Sequence, residues 1–171
     1  IGAWVVWNEG WGQYPELGMA HTRRGVNSVM QANHDPGRFV HAVTGWVDVE
    51  MGDFLDVHSY PAPNAASNPV NERIASCGEF GGINLFIDGH MWAGSDVNYT
   101  TVDDADTYVN LYDRYTDRLQ ELQKEKGLWM SVYTQITDVE QECNGIMTYD
   151  RKVMKVSPAQ FDGMKAKIMR T

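Results

Sequence analysis

Residues 3–7 read Ala-Trp-Val-Val-Trp, an unbroken apolar run of β-branched and aromatic residues that stops at Asn8-Glu9-Gly10. A run without polar alternation predicts a strand buried on both faces, as in a parallel sheet. That demand constrains everything after it, because such a strand needs neighbouring strands and covering helices. A carboxylate at the carboxyl end of such a strand sits where barrel and open α/β enzymes keep their chemistry. Trp7 and Trp11 flank Glu9, and aromatic rings can cover the apolar face of a sugar ring. The other reading of Asn8-Glu9-Gly10 is a strand cap followed by a turn.

The rest of the chain meets the demand. Pro15 predicts a helix start, with Glu16 in the first turn and Met19, Val26, Val29 and Met30 as an apolar stripe to about Ala32. Residues 33–37, Asn-His-Asp-Pro-Gly, break it. Residues 38–45, 53–60, 74–79 and 128–136 read as further strands. A helix is predicted over 105–126, with Tyr108, Leu111, Tyr115, Leu119 and Leu122 on one face and Gly127 as its C-cap. Ser157 and Pro158 have the chemistry of an N-cap and a first helical position. Residues 61–73 read as a loop. Residues 83–103 form a longer one that holds His90, Trp92 and Tyr99, and loops of that length in a compact domain are usually functional. Strands separated by helices or long crossovers, without hairpin signals, predict a parallel β/α architecture.

Composition narrows the partners. The 171 residues suit one domain, and 43% apolar with 22% charged residues is ordinary for a globular chain. A net charge of −9 with no basic cluster argues against nucleic acid, and the apolar runs are too short to span a bilayer. The chain begins inside a strand without an initiator methionine, so a fragment or processed segment is expected. Cys77 and Cys143 lack metal-ligand spacing and read as free, buried thiols.

Glu9 and Glu79 both close predicted strands, and parallel strands of one barrel bring such ends to the same rim. Paired carboxylates serve glycoside hydrolysis, one donating a proton to the leaving oxygen and one attacking the anomeric carbon or activating water. The rival use is a metal site, which would want a His or Asp cluster at ligand spacing; none is evident, so no metal is expected. The acidic run Asp138, Glu140 and Glu142 reads as a solvated loop.

Taken in order, these motifs resemble the carboxyl-terminal part of the catalytic barrel of glycoside hydrolase family 2, the β-galactosidase and β-glucuronidase group. Asn8-Glu9 resembles the pair closing the fourth barrel strand, whose Glu is the general acid/base. Gly78-Glu79-Phe80-Gly81-Gly82 resembles the end of the seventh strand, with the nucleophile. The stretch Asp56-Val57-His58-Ser59-Tyr60-Pro61 resembles the sixth strand. Residues 134–140, with Asn144-Gly145 and 148–151, resemble the eighth strand and its exit loop.

The resemblance implies a (β/α)₈ TIM barrel of which residues 1–171 are a partial catalytic domain with about five parallel strands, the fourth to the eighth. It implies retaining hydrolysis of terminal β-linked sugars, a β-glycoside substrate, no required cofactor, and a secreted or periplasmic setting. Asn8 would bind the sugar 2-hydroxyl and Tyr60 would orient the nucleophile. His58 either touches substrate or is a satisfied rim histidine. Trp92 and His90 line the pocket mouth, or Trp92 merely anchors the loop, and Trp46 and Tyr133 are candidate sugar-facing aromatics. Related enzymes often carry a tryptophan where this chain has Tyr133; Trp129 is expected in the core. The family's first three strands have no counterpart here, so a missing barrel half or an oligomeric partner is expected. The alternatives are a non-catalytic carbohydrate-binding remnant and a half-barrel that works only when completed.

Overall fold

The computed structural model describes residues 2–10, 18–32, 37–66, 73–94 and 98–169. Their elements run β1 (Ala3–Asn8), α1 (Gly18–Ala32), β2 (Phe39–Thr44), β3 (Phe54–Ser59), β4 (Ile74–Gly81), β5 (Ile83–Asn84), β6 (Thr100–Thr101), α2 (Ala105–Lys126), β7 (Leu128–Thr134) and α3 (Pro158–Ile168). The expected helix start at Pro15, the break over residues 33–36 and Trp11 lie outside the described residues.

Local chemistry sets the two later helices. The Asp104 side chain accepts from the Thr107 N–H at 2.7 Å and so caps α2, with Asp106 in its first turn and Lys124 and Lys126 in its last. Gly127, at φ 68°, ends the helix in a left-handed turn. In α3, Ser157 and Gln160 form a reciprocal capping box and Pro158 takes the first turn.

Among the described residues the named strands pair in parallel, with helices between several of them, so the chain is a mixed α/β protein. β1 pairs with β2 from Ala3↔Phe39 to Asn8↔Thr44. β3, β4 and β7 form a three-stranded sheet in that order, and its register sets His58 beside Glu79. β5 and β6 form a third pair, inside the segment read as a continuous loop; two residues each are too few to show a period.

Two apolar clusters follow the two larger sheets. One joins Val26 of α1 to Val40, Ala42, Val43 and Val49. The other packs Tyr108, Tyr112, Leu119 and Leu122 of α2 on Cys77, Phe80, Ile83 and Leu128. Between the sheets polar and aromatic contacts both occur. Val40 exchanges hydrogen bonds with Asp53, its N–H donating to the Asp53 carboxylate at 2.7 Å and its carbonyl accepting from the Asp53 N–H at 2.8 Å. His41 stacks on Phe54 at 4.8 Å between ring centres. Both cysteines are free and buried, as expected.

Three expectations about burial need correction. β1 is not buried on both faces: Trp4 and Val5 are 38% and 56% exposed, because β1 pairs with β2 alone among the described residues. Trp129 is 81% exposed rather than in the core; it lies at the open edge of a hollow that it lines with Leu119 and Gln123 of α2. Asp138 does not belong to a solvated run; it is buried against Lys155 Nζ at 2.7 Å and accepts from the Gly145 N–H.

These placements separate two substitutions that composition alone would treat alike. Leu122→Ala should cost about 2–5 kcal/mol, because it opens a cavity under α2. Trp129→Ala should stay within about 0.5 kcal/mol of the parent. Urea denaturation of both variants checks the contrast.

Candidate active site

The site grows from strand ends. β1 finishes at Asn8, and Glu9 follows in the left-handed region at φ 51°, its N–H donating to the Thr44 carbonyl at 2.8 Å. That bond continues the parallel ladder one residue past the strand while the positive φ turns the Glu9 side chain out of it. The Thr44 hydroxyl donates to the Asn8 side-chain carbonyl, which fixes the orientation of that amide.

His58, near the end of β3, lies between the two glutamates. Its Nδ1 is 2.6 Å from Glu9 Oε1 and 3.4 Å from Glu79 Oε2, and its side chain is fully buried. Its Nε2 faces Asp56 Oδ2 at 3.5 Å. Asp56 is itself buried, accepts from the Gly45 N–H at 2.8 Å, and accepts from the Ser76 hydroxyl. Gly45 stands at φ 82°, and a Cβ there would meet the His58 ring at 2.8 Å, so only glycine lets the imidazole take this position. His41 Nε2 lies 4.0 Å from Asp56; burial pushes its pKa down more than that carboxylate raises it.

Glu79 is held from the other side. The Tyr60 hydroxyl donates to Glu79 Oε2 at 2.5 Å and lies 2.9 Å from the Thr134 hydroxyl. Tyr60 has one proton, so Thr134 donates to it. Burial raises the Glu79 pKa, and Glu9 and Glu142 add to that, while the Tyr60 bond and His58 oppose it. Burial, then the bond to Glu79, keeps the Tyr60 phenol protonated far above its usual range.

Tyr99 lies on the segment between β5 and β6, its ring 5.2 Å from that of Tyr60. Its phenol is pushed up to about 12, first by burial and then by Glu142, Glu79 and Glu9. Glu142 accepts from Gln135 Nε2 at 3.1 Å and Asn144 Nδ2 at 3.4 Å. A cavity of about 240 Å³ lies between Tyr60, Pro61, Asn98, Tyr99 and Thr100.

The residues singled out in the sequence therefore divide. Glu9, His58, Tyr60 and Glu79 come together, with Asn8 next to them in the chain. Trp46 follows Gly45 and is 68% exposed, and Trp92 pairs with Tyr149 at 4.8 Å between ring centres. His90 is bonded to Asp150 at 2.9 Å, so its loop is anchored. Tyr133 is not sugar-facing: its ring packs on Phe80 and Tyr112 and its hydroxyl meets that of Tyr108 at 2.6 Å. Trp7 does not cover Glu9; it packs in the α1 cluster against Gly25.

Sequence reading missed Asp56, Tyr99 and Glu142. Strand alternation could have found Asp56, which shares a face with His58 and Tyr60. The expectation that no ligand cluster exists is also corrected: one donor atom each from Glu9, His58 and Glu79 lies within 4.8 Å of the others. Spacing along the chain could not reveal it, because the three come from different strand ends. Comparison with protein-family models and with curated proteins finds no match.

The bond from Tyr60 stabilises the ionised form of Glu79. Tyr60→Phe should therefore raise the Glu79 pKa further, as read by a carboxyl-carbon NMR titration. A fall would contradict the assignment.

Proposed function

We propose that this chain carries the carboxylate pair of a retaining β-glycosidase of the β-galactosidase-like type. The observation that carries the reading is the meeting of Glu9 and Glu79, from the ends of β1 and β4, with one oxygen of each no more than 4.8 Å apart. Carboxyl groups of inverting enzymes stand about 6.5–9.5 Å apart to admit a water, whereas retaining pairs stand at about 5–5.5 Å. A nearest-oxygen approach within 4.8 Å is compatible with the spacing of a retaining pair.

The environments suit two different roles. Glu79 attacks the anomeric carbon, and Tyr60 both orients it and favours its ionised form. Glu9 delivers a proton to the glycosidic oxygen as the bond to the leaving group breaks, giving a covalent glycosyl–Glu79 ester. Glu9 then takes a proton from water, which attacks the anomeric carbon and returns Glu79 as a carboxylate. His58, bonded to Glu9 Oε1, holds that carboxyl in line. Asn8, Tyr99 and the cavity beside Tyr60 supply polar contacts for sugar hydroxyls.

A (β/α)₈ barrel accommodates this arrangement, with β1, β2, β3, β4 and β7 as its fourth to eighth strands. Such a barrel takes about 250 residues and closes its sheet completely. The exposed Trp4 and Val5 on β1 and Trp129 and Val132 on β7 favour a half-barrel that works only once completed.

Two outcomes test the roles and the completeness. In an active protein that contains this chain, Glu79→Ala should abolish turnover and azide should partly restore it as an α-glycosyl azide. Glu9→Ala should cost about 10²–10⁴-fold on substrates with poor leaving groups and far less on activated nitrophenyl glycosides. The 171-residue chain alone should hydrolyse no nitrophenyl glycoside and should self-associate in sedimentation; a monodisperse, active monomer would contradict the half-barrel.

A further inference from the structure

We propose that Glu9, His58 and Glu79 form a binding site for one zinc ion. The donor set is two carboxylate oxygens and one imidazole nitrogen, a combination zinc accepts in four-coordinate sites that keep one open position. Calcium and magnesium want six or more oxygens, or several retained waters, and fit this set poorly.

The distances agree with that choice. Zinc bonds to nitrogen and oxygen are about 2.0–2.2 Å, which places neighbouring ligands of a tetrahedron about 3.4 Å apart. His58 Nδ1 and Glu79 Oε2 already stand 3.4 Å apart. The remaining separations, 2.6 Å from His58 Nδ1 to Glu9 Oε1 and no more than 4.8 Å across the cluster, reach that value by small side-chain movements.

A second observation points the same way. The Nε2 of His58 is buried without a hydrogen-bond partner and stands 3.5 Å from the Asp56 carboxylate, so a movement of a few tenths of an ångström would make the bond that commonly backs a zinc-binding imidazole. With the proton on Nε2, the Nδ1 lone pair points at two carboxylates. Lone pairs at 2.6 Å repel unless a proton or a cation lies between them. Among the described residues, the ion pairs of Glu9 and Glu79 are with His58 alone, so no lysine or arginine supplies that charge. The Glu9 and Glu79 side chains are 14% and 29% exposed, which leaves the ion a way in from solvent.

This binding requires only the three donors and stands apart from the glycosidase reading. Where that reading also holds, zinc displaces the proton shared by Glu9 and His58 into solvent and occupies Glu79, so the loaded protein is inhibited.

The test is zinc chloride titrated calorimetrically into a monodisperse protein that contains this chain at neutral pH, followed by X-ray absorption on the loaded protein. One zinc per chain is expected, with a single imidazole and otherwise oxygen around it. Glu9→Gln and Glu79→Gln should each weaken binding at least tenfold, Asp56→Asn should weaken it about 10–100-fold, and His90→Ala, on the surface, should leave it unchanged. Absence of stoichiometric binding, sulfur or two imidazoles in the absorption spectrum, or loss of binding in His90→Ala alone would overturn the proposal. Zinc binding without glycoside hydrolysis would sustain this site and count against the glycosidase reading.

Discussion

A buried carboxylate is tolerated only where hydrogen-bond donors surround it, and the carboxylate of Asp56 organises the centre of this molecule for that reason. Its oxygens take the Gly45 N–H from beyond β2 and the Ser76 hydroxyl from β4, and they face the imidazole of His58 two residues along its own strand. These polar bonds join the two larger sheets at a junction where Phe54 of β3 also packs on Phe39 and His41 of β2. They also determine where His58 stands, and through His58 the place of Glu9. Losing either donor would leave one buried carboxylate oxygen unsatisfied, which costs more than the bond itself contributes.

The electrostatics beyond Asp56 are those of crowded anions. Glu9 and Glu142 act on Glu79, and all three act on Tyr99, from three separate segments. Desolvation and repulsion raise Glu79, while Tyr60 and His58 pull the other way. Tyr60 keeps its own proton under the same field, and therefore stays a donor. A site built this way is short of positive charge, a property shared by centres that stabilise an oxocarbenium-like sugar and centres that hold a metal ion.

Much of the scaffold was legible because it follows local rules. The runs over residues 3–7, 38–45, 53–60, 74–79 and 128–136 became parallel strands, and Gly127, Ser157 and Pro158 took their helix-end positions as their chemistry demands. Burial was harder to read, because it depends on which neighbours a strand finds. Trp129 and Tyr133 lie four residues apart on one strand, yet one faces solvent and the other the α2 core. The grouping of Glu9, His58 and Glu79 was half visible: strand ends suggested the glutamates would meet, but not that an imidazole would stand between them. The length of its loop marked the segment that holds Tyr99, but not Tyr99 itself, and Glu142 read as part of a solvated run, since loop paths decide both positions.

Gly45 gives the site a dependence on a residue that has no functional group. It sits at φ 82°, donates its N–H to Asp56, and leaves room for the face of the His58 ring. Any side chain there strains the backbone and pushes the imidazole away from the carboxylates in one step. Variation at position 45 is therefore filtered as strictly as variation at a residue that performs chemistry, although nothing in its composition marks it. In a library of random substitutions this glycine would group with Glu9 and Glu79, and a search confined to reactive side chains would pass over it.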